Sequence, residues 1–177
     1  MAWIKKILRT SVYIIDEDND FVRVLKQVFA RGIENHRILS YTTADDMLFD
    51  IKQQQGKKIQ RNIVIITASA HAKETNSIFE TIELIKQQLL KSHFIVTYYP
   101  GEIEKQELDS YKSELMIDEI ITKNNFARLR IQNAIRRFLS RDDFELRRKL
   151  LYISGFTAAF FTLTTILLYF FSGSIVQ

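Results

Sequence analysis

Three acids stand in a row at Asp16-Glu17-Asp18, directly after the apolar run of residues 11–15 (SVYII). Carboxylates crowded at one point repel each other unless a cation or an ammonium group sits among them, and Mg2+ prefers such oxygen ligands. Lys123 closes another apolar run, and Thr67 and Thr97 close two more. Acids, hydroxyls and an ammonium group therefore recur at one kind of place in the pattern. Most other chemistries are missing. The chain has no cysteine, so it has no disulfide, no thiolate metal ligand and no Cys nucleophile. His36, His71 and His93 fall on separate predicted elements, without metal-ligand spacing. None of the 5 glycines lies in a GxxxxGK or GxGxxG context, which leaves no phosphate loop.

The runs that carry these residues alternate with helical periodicity. Residues 11–15 predict a first strand. Asn19 then offers an N-cap, Phe21, Val24, Leu25, Val28 and Phe29 recur at helical spacing, and Gly32 ends the helix. Residues 37–41 read as a second strand. Thr43 caps the next helix, with Met47, Leu48 and Ile51 inward and Gly56 closing it. Residues 62–66 (NIVII) are continuously apolar, as a central parallel strand should be. A helix over 75–90 turns Ile78, Phe79, Ile82, Ile85 and Leu89 inward, and residues 93–97 give the fourth strand. After Pro100-Gly101 a weaker helix runs to about residue 115, and residues 116–121 give the fifth strand. A last helix over 125–139 points Leu129, Ile135, Phe138 and Leu139 to the core and continues, with or without a break near Ser140, into the apolar tail. Five strand–helix pairs in alternation predict an α/β fold: a five-stranded parallel, doubly wound, flavodoxin-like sheet. Ligands of such sheets sit at the carboxyl ends of the strands, where Asp16, Thr67, Thr97 and Lys123 fall.

Over residues 11–140 this arrangement resembles the receiver domain of response regulators. The likeness rests on VYIIDEDNDFVRVL at 12–25, on TTADDML at the second strand–helix junction, on a Thr after strand four and on a Lys after strand five. It implies that Asp16 and Glu17 match the acid pair that holds Mg2+. By the same likeness Thr97 matches the switch hydroxyl, and Lys123 the lysine that pairs with the phosphoaspartate. The sequence departs from the family at the acceptor itself. Thr67 occupies the place of the phosphoacceptor Asp, the next acid is Glu74, and Asn124 follows Lys123 where the family has proline. An acyl phosphate requires a carboxylate nucleophile, and a threonine hydroxyl with no base beside it is no substitute. The pocket is thus expected to be degenerate, with Lys123 paired to Asp16 or Glu17 and at most a weak Mg2+ site at those acids. Tyr98 and Tyr99 follow Thr97 toward the face that receivers use for partners. Exposed, they would suit a partner-binding hot spot; half-buried, they would be packing residues.

The mean hydropathy of -0.09 hides a sharp split. From residue 150 to 177 there is no Asp, Glu, Lys, Arg or His. A helix needs about 20 largely apolar residues to cross a hydrocarbon core of roughly 30 Å, so a transmembrane helix is expected at 150–172, with 173–177 beyond it. Residues 128–149 hold 8 basic and 3 acidic side chains, a net of 8 − 3 = +5, whereas the whole chain is only +4. The basic excess is one strip beside the span, with Arg136, Arg137, Arg141, Arg147, Arg148 and Lys149 expected at the membrane surface. Arg and Lys beside a span stay on the cytoplasmic side, which places the folded domain inside. A nucleic-acid-binding domain would spread its basic charge over a recognition surface, so nucleic acid is not an expected partner. Residues 1–10 are too short and charged for a signal peptide. Trp3, Ile4, Ile7 and Leu8 share a helical face there, fit for an interfacial helix or for a lead-in packed on the domain. Residues 141–149 form the basic juxtamembrane segment. In the span, Ser154, Gly155, Ala158 and Ala159 form two overlapping small-xxx-small pairs that permit close helix contact.

These features predict a single-pass, tail-anchored protein of the bacterial cytoplasmic membrane. Its pseudo-receiver binds protein partners without catalysis, as an accessory, assembly or regulatory subunit. The partners expected are an integral membrane protein, a histidine kinase or a second copy, together with the lipid bilayer. The alternative is a phosphorylation-dependent membrane-bound regulator with an atypical acceptor. A hydrolase using Asp16, Glu17 and Mg2+ would lack an assigned nucleophile or base.

Overall fold

In the computed structural model the described residues are 9–32, 36–53, 60–68, 75–89, 92–101, 109, 112, 114 and 116–173. The chain forms β1 (Arg9–Ile15), α1 (Asn19–Gly32), β2 (His36–Tyr41), α2 (Ala44–Gln53), β3 (Gln60–Ala68), α3 (Thr75–Gln88), β4 (Ser92–Tyr98), β5 (Glu119–Thr122) and α4 (Ala127–Gly173). The five strands form one parallel sheet in the order β2-β1-β3-β4-β5. That is the doubly wound sheet expected, with β1, β3 and β4 inside and the two other strands at its edges.

Burial explains why the inner strands are continuously apolar. Tyr13, Ile15, Val64, Ile66, Phe94 and Val96 face one layer, closed by Met47 and Ile51 of α2 and Ile82 and Ile85 of α3. Their sequence neighbours Val12, Ile14, Ile63, Ile65 and Ile95 point the other way and are equally buried. α1 and the first turns of α4 supply the buried Leu25, Phe29, Ile131 and Ile135 for that side. Each strand thus puts one residue into each layer in turn.

Local capping sets where helices start. The Thr43 hydroxyl accepts the Asp46 N–H at 3.3 Å, an N-cap that opens α2, and donates to the Asp46 carboxylate at 2.8 Å. In α1 the cap is Asp18, not Asn19: its Oδ1 accepts the N–H groups of Asp20 and Phe21 at 3.1 and 3.0 Å.

Other differences from the sequence expectation lie around β5 and α4. The fifth strand covers only Glu119–Thr122, because Met116 has φ 46 and is 80% exposed, a turn conformation that no strand accommodates. Leu129 is exposed, and Ala127, Ile131, Ala134 and Ile135 form the buried stripe of α4 instead. β1 begins at Arg9, so residues 9 and 10 belong to the sheet. The expected lead-in with Trp3, Ile4, Ile7 and Leu8, most of the helix between Gly101 and residue 115 (all but 109, 112 and 114), His71, Gly56 and the end of the tail lie outside the described residues. So do the side chains of Ile78 and Phe79.

The chain divides into two compact units, 1–135 and 136–177. The second unit is helical from Arg136 through Gly173, without a break at Ser140. Its stretch to Leu168 is apolar enough to cross a membrane, with a mean hydropathy of 1.7 in its most apolar window and none of that window buried. Ser154, Thr157, Thr162, Thr164 and Thr165 each donate their hydroxyl proton to a carbonyl one turn back, at 2.7–3.3 Å. Polar side chains closed on their own backbone in this way can sit in hydrocarbon without an unmet donor.

Candidate functional site

The register of the parallel strands brings the ends of β1, β3, β4 and β5 to one edge of the sheet. Thr67 is paired with Thr97 across β3 and β4, and Ile15 with Ile66 across β1 and β3. Asp16 leaves β1 with its N–H bonded to the Tyr41 carbonyl, and Lys123 leaves β5 with its N–H on the Tyr98 carbonyl. Four side chains converge there: Asp16, Thr67, Thr97 and Lys123.

Lys123 Nζ lies 2.7 Å from Asp16 Oδ2, and both side chains are only 3% exposed. The Thr67 hydroxyl donates to the same carboxylate oxygen at 2.6 Å and is 2.7 Å from the Thr97 hydroxyl. Asp16 Oδ1 accepts the Asp18 N–H at 2.9 Å. No buried side-chain nitrogen or oxygen among the described residues lacks a partner. A buried ion pair survives only when its remaining hydrogen-bonding capacity is met, and here it is.

Tyr99, Asp18 and Phe21 lie around this cluster. The Tyr99 phenol donates to Asp18 Oδ2 at 3.1 Å and accepts from Lys123 Nζ at 3.1 Å. The Lys123 ammonium sits 4.4 Å above the Phe21 ring and 4.5 Å above the Tyr99 ring, where the electron-rich faces stabilise it further. The Phe21 N–H, against the opposing effect of burial, holds the Asp18 carboxyl below its ordinary value, aided by the Tyr99 phenol and the Lys123 charge.

The structure therefore brings together Asp16, Thr67, Thr97 and Lys123, and it leaves Glu17 out. Glu17 is exposed, and Asp18, one residue on, takes part in its place. Asp18, Tyr99 and Phe21 are participants that the strand-end reasoning missed. The signal was present at Asp18, since an Asp immediately before a helix is a common cap and is thereby held in place. Tyr98 is buried at 6% and its phenol accepts the Thr122 hydroxyl at 2.9 Å, so it is a packing residue rather than an exposed anchor. Tyr99 is half-buried over the site. Ser154, Gly155, Ala158 and Ala159, and all of Arg136, Arg137, Arg141, Arg147, Arg148 and Lys149, are exposed along the second unit.

The chemistry available is narrow. The sequence shows no base beside Thr67, whereas the structure puts the Asp16 carboxylate there. That carboxylate oxygen is already engaged by the Lys123 ammonium at 2.7 Å. The Mg2+ ion that the receiver resemblance implies does not fit these donors. Asp16 has both oxygens engaged, Glu17 points to solvent, and no group of three or more His, Cys, Asp or Glu among the described residues is placed to hold a metal. Away from this edge, His93 Nδ1 lies 3.1 Å from Asp118 Oδ1, and Asp118 Oδ2 accepts the Phe94 N–H at 2.8 Å. Burial pushes the Asp118 carboxyl up, but the bonds from His93 and Phe94 outweigh it and hold the group low.

The architecture is of the receiver type, a five-stranded parallel sheet with its polar cluster at the carboxyl ends of the strands. Among solved structures the chain is similar to a signal receiver domain from Vibrio parahaemolyticus, with a TM-score of 0.57 over 77% of this chain and 95% of that one. The identity is 14%, so the likeness is one of fold. No protein-family model and no curated protein matches the chain.

Proposed function

We propose that the protein is a membrane-anchored pseudo-receiver: a receiver-like domain that does not accept a phosphoryl group and acts by binding another protein. One observation carries the reading. The place of the acceptor carboxylate holds the Thr67 hydroxyl, and that hydroxyl is bonded to Asp16 at 2.6 Å and to Thr97 at 2.7 Å. Lys123 and Thr97, the residues that would respond to a phosphoryl group, thus have their partners inside the protein. With no activated nucleophile, a role in binding is the one left to the domain.

The apolar helix supports the anchor, and the charge asymmetry around it supports a domain on the cytoplasmic side. Tethering to a bilayer raises the local concentration of the domain near other membrane proteins. An accessory or regulatory subunit of a membrane complex is the role that best uses both features. The test is incubation with acetyl phosphate, or with beryllofluoride, in the presence of Mg2+. No adduct is expected by intact-mass measurement. A stoichiometric, base-labile phosphoryl adduct would overturn the reading and favour a working switch.

A further inference from the structure

The last charged turn of α4 holds Arg147, Arg148 and Lys149, directly before the uncharged stretch that begins at Leu150. All three side chains are exposed. Upstream on the same helix the charged groups are engaged: Glu145 lies 3.6 Å from Arg141, and Arg137, Asp142 and Asp143 each take part in contacts as well. No carboxylate among the described residues forms an ion pair with Arg147, Arg148 or Lys149.

Arg148 is placed by an aromatic neighbour just inside the apolar stretch. Its guanidinium lies 5.7 Å from the centre of the Tyr152 ring, and one Nη donates to the phenol oxygen at 3.4 Å. Residues i and i+4 stand one above the other on a helix, so this contact holds the guanidinium where the charged turn meets the apolar one. A ring with one apolar and one polar end belongs at that level of a bilayer. The phenol occupies one of the five guanidinium donors and leaves the others for an acceptor outside the protein.

We infer that this turn binds anionic phospholipid of the cytoplasmic leaflet, with the Arg148 guanidinium on the phosphate and Tyr152 as its positioning residue. The inference rests on the membrane-anchored reading and adds a ligand to it.

Height and spread select this occupant. Arg147 lies 150 − 147 = 3 residues before Leu150, about 4.5 Å of helix rise, and the other two are nearer. Headgroups fill roughly 5–8 Å on each side of the hydrocarbon, so the three cations are level with the phosphates. Successive residues turn by about 100°, which spreads the three over about 200° of the circumference. A packed helix meets one side of another helix, whereas lipids surround it. The guanidinium fork matches two oxygens of one phosphate. A zwitterionic headgroup brings its own ammonium to the same place, and an anionic one does not.

The test is native mass spectrometry of the full chain in mild detergent, titrated with phosphatidylglycerol or with phosphatidylcholine of the same acyl chains. Phosphatidylglycerol should bind at least about fivefold tighter, the increment that one basic residue at a membrane surface supplies. Arg148→Gln should cost about that factor. Arg136→Gln, an equal change of charge outside the headgroup layer, should cost nothing. Tyr152→Leu should weaken phosphatidylglycerol and leave phosphatidylcholine unchanged, and Tyr152→Trp, which keeps an aromatic face, should restore the preference. Millimolar inorganic phosphate should displace no lipid. Equal affinity for the two lipids, equal losses from Arg136→Gln and Arg148→Gln, or displacement by phosphate would overturn the inference. Extraction of the chain from vesicles by alkaline carbonate is measured alongside. Extraction would sink the anchored reading itself, whereas a resistant chain without lipid preference sinks only the lipid site.

Discussion

Lys123 and Asp16 are sealed together: their charged atoms are 2.7 Å apart and neither side chain is more than 3% exposed. Removing one partner leaves the other charged in a nearly dry place. Lys123→Met is therefore expected to destabilise the domain by about 3–5 kcal/mol. Adding Asp16→Asn should recover part of that loss, because the residual group is then uncharged. Urea midpoints from pulse proteolysis of the full chain would show both effects, and a single variant as stable as the wild type would contradict the sealed pair.

Thr67 stands 2.6 Å from Asp16, so Thr67→Asp would set two carboxylates against each other beside a single ammonium. Like charges at that separation disfavour the folded state unless a cation joins them. The variant should be less stable than the wild type in metal-free buffer and should gain several degrees in Tm with millimolar Mg2+. The wild type should respond little, since its Asp16 oxygens are already engaged. Differential scanning fluorimetry with and without Mg2+ reads the contrast.

Asp18 and Asp118 are both held below the ordinary Asp value of about 3.9. A carboxyl with a depressed folded-state pKa contributes stability that is complete above the unfolded value and is lost as pH falls through the folded one. The protein should therefore lose stability on acidification below about pH 4, and Asp18→Asn should flatten that loss. Asn caps a helix nearly as well as Asp, so stability at neutral pH should fall by less than in Asp18→Ala, for which about 1 kcal/mol is expected. Unfolding midpoints from pH 2.5 to 7 are the measurement.

Phe160 lies near the middle of the apolar stretch. An arginine at the centre of a spanning helix costs roughly 2.5–3.5 kcal/mol on insertion scales. Phe160→Arg with Leu163→Arg should move the chain from the carbonate-resistant membrane fraction to the extractable one, while Arg136→Gln should leave it in place. Unchanged fractionation of the double variant would count against a span.

Much of the fold was legible because the inner strands are buried on both sides and read as unbroken apolar runs. The polar cluster was legible because Asp16, Thr67, Thr97 and Lys123 each end such a run. Tyr98 was harder to place: it continues the alternation of β4 by one residue, into the buried layer, and nothing in a Tyr-Tyr pair says which ring goes inward. Leu129 looked like core because leucine outweighs alanine on any hydropathy scale. The packed stripe instead takes Ala127 and Ala134 beside Ile131 and Ile135, all of them buried. Tyr99 over Lys123 depends on a contact between β4 and β5 that spans 24 positions, and no local pattern encodes it.

The threonines of the apolar helix carry one more implication. A hydroxyl has a single proton, and Thr162 and Thr165 direct theirs into carbonyls of their own helix at 2.7 and 2.8 Å. In that rotamer each hydroxyl presents its oxygen lone pairs outward. Each oxygen so engaged keeps lone-pair capacity, so a donor placed beside it can bond there without breaking the bond along the helix.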